Sequence, residues 1–159
     1  MAPAGEGDRR VSEGPPRLRA GRDAAQEVWV VFGGQADHAW LRPLRRGFRH
    51  CFAALRDEAG WTVVEPVSGR LLVLRVAMPA AYDLPAFYRR AGLLVLGPFA
   101  PGPARAQWMP ALLPQTCVGL CRALLGAGAP FAMTPFGLFR RLSKIRHDDR
   151  KKFLTRIAA

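Results

Sequence analysis

Apolar positions along the chain fall into short runs, divided by glycine, proline and acidic turns. "EVWVVF" (Glu27–Phe32) is β-branched and aromatic, and Gly33-Gly34 ends it, which predicts a strand. "DHAWLRPLRRG" predicts a short helix or turn, broken at Pro43. "FRHCFAALR" and "WTVVEP" then flank the polar tip "DEAG", the pattern of a β-hairpin. After a turn at Ser68-Gly69, "RLLVLRV" (Arg70–Val76) predicts a third consecutive strand.

Helical signals follow. Asp83 as N-cap, Pro85 in the first turn and Gly92 as stop predict a helix over Leu84–Ala91. "LLVLGPF" predicts another strand and "APGPARAQWMPALLP" a proline-rich loop. "QTCVGLCRALLGAG" predicts a helix capped by Thr116 and stopped at Gly126. "TPFGLFRRLSKIRH" opens on Thr-Pro and places Phe136, Phe139, Leu142 and Ile145 on one stripe. The order β, short helix, β-β-β, helix, β, helix, helix predicts an α+β fold, a small antiparallel sheet packed against helices.

The 159 residues suffice for one domain with its own core. Residues 1–25 are polar and aperiodic and predict a disordered N-terminal segment; 26–145 form the expected domain. Residues 146–159 are expected to carry the last helix onward and fray as a basic tail, because Asp148 and Asp149 interrupt the stripe. The N-terminal segment lacks the apolar core of a secretory signal, and no apolar run reaches the ~18 residues of a membrane helix. Three irregularly spaced cysteines do not make a disulfide framework, so a reducing cytoplasm is the expected setting.

Charge adds one question. Lys and Arg number 24 against 12 acidic residues, a formal net charge of +12, and lysine occurs only at Lys144, Lys151 and Lys152. The richness in Ala, Gly, Pro and Arg matches GC-rich coding, which explains part of this charge without an acidic partner. "RPLRRGFR" and the C-terminus from Arg140 could also contact a phosphate backbone, although no sequence-reading motif for nucleic acid is present.

The chemistry lies in the hairpin and the next-to-last helix. With "DEAG" as the tip, Arg56 pairs with Trp61, Phe52 opposes Glu65, and His50 and Glu65 are diagonal neighbours on one face, roughly 7 Å apart at Cβ or less. A carboxylate there can orient an imidazole. An odd-numbered loop would put the two on opposite faces. Cys117 follows its N-cap, where free N–H groups and the helix dipole are expected to lower a thiol pKa. Cys117, His50 and Glu65 thus read as nucleophile, base and orienter for acyl transfer to an amide or ester carbonyl. Gln115 or Gln107 are candidate oxyanion donors beside the Cys117 N–H.

"RHCFAALRDEAGWTVVEP" followed by "QTCVGLCRALLG" resembles the permuted papain-like cysteine peptidases, the NlpC-type relatives that include lecithin–retinol acyltransferase-like proteins. In that group the His heads a strand, a polar residue follows on the next strand, and the Cys comes last at a helix start. "TPFGLFRRL" is similar to a segment of small uncharacterised bacterial and phage-associated proteins, whose Cys helix reads T-C-V-E; here Gly119 replaces the acid. The resemblance spans roughly Val28 to Leu142. It implies a papain-like fold and a cysteine hydrolase or acyltransferase on peptide-like substrates, with Cys117, His50 and Glu65 catalytic and no cofactor or metal.

Other uses of the same residues compete. Cys121 and Cys51 read as small core residues, Cys51 alternating away from His50. Zinc on Cys117, Cys121 and His50 would lack a C-x-x-C pair and a fourth ligand. His38 is an alternative base, and Trp29, Trp40, Trp61 and Trp108 read as core or groove-lining. The alternative function is a non-catalytic interaction protein on the same fold, phage-associated or binding nucleic acid through its basic surface. The sequence leaves the oligomeric state open.

Overall fold

The structure, a computed structural model, describes residues 26–34, 43–67, 70–103 and 116–157, with side chains described through Lys151. His38, Trp40, Gln107, Trp108 and Gln115 lie outside them, as do residues 1–25. The described elements are β1 (Glu27–Gly33), β2 (His50–Asp57), β3 (Gly60–Val67), β4 (Arg70–Val76), α1 (Leu84–Arg90), β5 (Leu94–Phe99), α2 (Cys117–Leu125) and α3 (Pro135–Ile157). They form an α+β fold around one five-stranded antiparallel sheet in the order β4-β3-β2-β1-β5.

Strand β1 lies inside the sheet and is apolar on both faces. Val28, Val30 and Phe32 face one side; Trp29 and Val31 face the other. The first face also carries Cys51 and Ala53 and is covered by Val118, Cys121 and Leu125 of α2 and by Leu138 and Leu142 of α3. The second carries Phe52, Ala54, Trp61, Val63 and Val95 and is covered by Leu84 of α1 with Tyr82 and Tyr88. Fully burying a leucine such as Leu138 contributes roughly 1.5–3 kcal/mol.

The β2–β3 hairpin has the short acidic tip: Asp57 pairs with Gly60, Arg56 with Trp61 and Ala53 with Val64. Local chemistry sets the helix starts. Asp83 accepts from the Ala86 N–H at 2.8 Å, Thr116 from the Gly119 N–H at 3.0 Å, and Thr134 from the Gly137 N–H at 3.1 Å. The end of α2 is tied to the segment after β5, since the Gly102 N–H donates to the Leu125 carbonyl at 2.9 Å. Gly126 at φ +73° closes that helix, and a Cβ there would run into the Gly102 carbonyl.

Two expectations need correction. The stripe of α3 that enters the core is centred on Pro135, Leu138 and Leu142; Phe136 and Phe139 flank it, and Ile145 is exposed. Phe136 and Phe139 pack edge-on or tilted against Phe48, at 5.1 and 4.8 Å between ring centroids, so their rings fill the flank of the helix. The helix also continues to Ile157, through the segment expected to fray. After Gly137 it contains no glycine or proline, and a pair of aspartates costs a helix far less than either breaker would.

Candidate active site

The first residue of β2 is His50 and the first residue of α2 is Cys117, so two element starts meet at one end of the sheet. Continuing the hairpin register one step beyond Ala53–Val64 sets Phe52 opposite Glu65 and His50 diagonal to it. The side chains converge accordingly: His50 Nε2 lies 3.1 Å from Glu65 Oε1. The imidazole stacks on Phe52 at 6.3 Å between centroids, and Phe52 in turn meets Tyr88 of α1 edge-on at 5.2 Å. Glu65 and burial together raise the Tyr88 pKa, burial contributing more.

His50 also stands near the Cys117 thiol, close enough for each group to shift the other's proton affinity. Successive strand residues point to opposite faces, and Cys51 points into the α2–α3 core. His50 still reaches the thiol because it stands at the strand's first position, where the start of α2 lies beside it. Cys117, His50 and Glu65 are therefore contiguous. The His50 pKa lies above its ordinary 6.5: burial pulls it down, but Cys117 and Glu65 together outweigh burial.

The thiol itself departs from the sequence expectation. Its pKa is raised far above the ordinary range, not lowered. The largest cause is the neighbouring Cys51 thiol, and burial adds to it. His50 and the Cys51 backbone pull the other way. Cys121 Sγ lies 3.8 Å from Cys51 Sγ, so three free thiols form a chain between α2 and β2. Cys51 and Cys121 are fully buried, and Cys117 is partly exposed. The helix start supplies its favourable field, but the thiol is turned toward a neighbour that prefers it protonated.

The role of Cys51 beside Cys117 was missed by sequence reasoning. Cys51 is set by strand parity and Cys117 by a helix cap; only the packing of α2 across β2 brings them together. A weak signal existed in the i, i+4 pair Cys117–Cys121 facing a strand that carries a third cysteine. Among the described residues, no group of three or more His, Cys, Asp or Glu is placed to hold a metal ion. The oxyanion candidates Gln107 and Gln115 lie outside the described residues, and the Cys117 backbone N–H stands in the first turn of α2.

The Cys51 thiol should restrain the reactivity of Cys117. Cys51→Ala removes the largest cause of the raised Cys117 pKa, so more thiolate is present at neutral pH. Each unit of lowered pKa gives about tenfold more thiolate in that range. Iodoacetamide labelling of Cys117, followed by peptide mass analysis, should therefore be at least several-fold faster in Cys51→Ala and slower in His50→Ala. Labelling left unchanged by Cys51→Ala would show that the Cys51 thiol does not restrain Cys117.

No protein-family model, curated protein or solved structure matches the chain. Among the described residues, no helix is long and apolar enough to cross a membrane.

Proposed function

We propose that the protein is a cysteine hydrolase or acyltransferase of permuted papain-like architecture, acting on amide or ester bonds of peptide-like substrates. The observation that carries this reading is one imidazole, His50, held by the Glu65 carboxylate at 3.1 Å and standing near enough to the Cys117 thiol for the two to shift each other's proton affinity. With Nε2–H donating to Glu65, Nδ1 is the nitrogen left to accept a proton. The strand order, with His50 leading one strand, Glu65 on the next and Cys117 last at a helix start, supports the architecture.

The raised thiol pKa selects the form of the chemistry. The resting pair is a neutral thiol beside an imidazole, so His50 acts as general base while sulfur attacks. The Cys117 proton passes to Nδ1 as the S–C bond forms, and the carbonyl π pair moves to oxygen. Collapse expels the amine or alcohol, which takes the proton from His50 and leaves a thioester on Cys117. Water or an acceptor nucleophile, deprotonated by the same imidazole, releases the acyl group and restores the thiol. No cofactor enters this sequence.

The test is a pH–rate profile on an activated ester such as p-nitrophenyl acetate. His50 must be neutral to act as base, and its pKa is raised. Turnover should therefore rise with pH along a limb whose midpoint lies above 6.5. Glu65→Gln removes one cause of that elevation and should move the limb to lower pH while reducing the plateau. A profile that Glu65→Gln leaves in place would remove Glu65 as the orienting residue.

A second reading, a non-catalytic protein that binds nucleic acid, is favoured by α3. Beyond Leu142 the helix leaves the core and exposes Lys144, Arg146, Arg150 and Lys151. On that reading, duplex DNA binding in a gel shift falls roughly tenfold or more between 50 and 200 mM salt. It is lost on removing residues 147–159, and binding insensitive to both would dismiss it.

A further inference from the structure

The two edges of the sheet are built differently. Strand β5 is short, its pairing with β1 shifts register between Val28 and Val30, and Pro98 removes a backbone donor. Bulges and prolines are the devices that keep a sheet edge from pairing further. Strand β4 has neither. All seven of its residues pair with β3 in unbroken register, from Trp61–Val76 to Val67–Arg70. It is also apolar on both faces and uncovered on both. Leu71 and Val73 are 50% and 57% exposed on one side, and Leu72 and Leu74 are 39% and 47% exposed on the other. A regular edge with no described strand on its outer side and four exposed aliphatic side chains is a template for another strand.

We infer that this edge is occupied by β4 of a second copy of the chain, paired antiparallel about Val73 to form one continuous sheet across a two-fold axis. Three observations select that occupant. The strand is self-complementary in this register: Val73 opposes Val73, Leu72 opposes Leu74, Leu71 opposes Arg75, and Arg70 opposes Val76. No arginine faces an arginine, although like charges directly opposite would disfavour pairing. Arg75 is moreover held within its own chain, by Thr62 Oγ1 at 3.0 Å and Asp57 Oδ1 at 3.4 Å, and this offsets its charge. On one face Val73 then meets Val73 between two Leu71–Arg75 pairs, and on the other Leu72 and Leu74 of both copies meet.

A substrate peptide fits the edge less well. A strand added outside β4 stands three strand spacings, roughly 14 Å, from β2, where His50 begins. Its scissile carbonyl would not reach Cys117. The basic surface repels a second copy at long range, since each chain carries +12. Added salt screens that repulsion and should strengthen the dimer.

The experiment uses the full chain. Sedimentation equilibrium at 0.3 M salt should give a dimer at micromolar concentration that weakens as salt is lowered. Val73→Lys should yield a monomer that melts like the wild type at dilutions where the wild type is also monomeric, because the position is more than half exposed in one chain. A wild-type monomer throughout, a dimer untouched by Val73→Lys, or irregular aggregation instead of a defined dimer would each overturn the inference. Register is read in the Cys117→Ala background, where the remaining native thiols are buried. Val73→Cys should form an intermolecular disulfide under mild oxidation, since directly opposed residues lie about 4.5–5.5 Å apart at Cβ. Leu71→Cys should not, its two copies lying roughly 14 Å apart along and across the strands. Equal cross-linking at both positions would refute the two-fold at Val73.

Discussion

Replacing Cys117 with alanine should abolish turnover of an activated ester while leaving the protein folded. The side chain is partly exposed at a helix start, so its loss removes the nucleophile and little of the core. His50→Ala should lower turnover about 10²–10⁴-fold, the range supplied by a positioned general base. The two changes together should cost no more than Cys117→Ala alone, because both groups act in one step. Cys121→Ala is the control: its sulfur bonds Cys51 and lies one helical turn from the nucleophile. A Cys121→Ala variant as inactive as Cys117→Ala would show that the thiol chain, and not Cys117, carries the activity.

The largest effect on stability should come from Trp61. This ring is 1% exposed, packs with Phe52, Val63 and Leu84, and donates its indole N–H to the Tyr82 carbonyl at 2.9 Å. Trp61→Ala should cost about 3–5 kcal/mol, from lost burial and the cavity left behind. Small domains hold only about 5–15 kcal/mol in total, so the variant should approach unfolding near body temperature. Trp61→Phe keeps most of the packing but leaves the Tyr82 carbonyl without that donor, and should cost less than the alanine change. Denaturant unfolding followed by circular dichroism measures both. A Trp61→Ala loss under about 1 kcal/mol would show that the α1 face of the sheet is not a core.

Much of the sheet is legible in the sequence because local chemistry determines it. The acidic tip "DEAG" fixes a two-residue connection, and the parity of that connection brings Glu65 to the His50 face. Thr116 and Thr134 mark helix starts that the structure also has, because a threonine oxygen can meet an N–H three residues on. What was not legible depends on how elements lie across one another. Cys117 was expected to be acidic from its place at a helix start, but its pKa is set by Cys51, sixty-six positions away on β2. The exposure of β4 is hidden for the same reason: "RLLVLRV" is apolar enough for an interior strand, and only its place at the sheet edge leaves it bare. On α3, a reading by period put Ile145 on the stripe of Leu142; it is 37% exposed because it borders an open groove with Phe99, Ala100 and Leu142.

If Cys117 attacks a carbonyl carbon with His50 as base, the acyl group passes through its sulfur. The most direct measurement mixes the protein with p-nitrophenyl acetate and follows both products: the early release of nitrophenol and the mass of the protein. A burst of nitrophenol near one equivalent and an added acetyl group on the Cys117 peptide are expected, both much reduced in His50→Ala. Steady release without a burst, or acetyl groups spread over lysines with Cys117 unmodified, would contradict attack by Cys117.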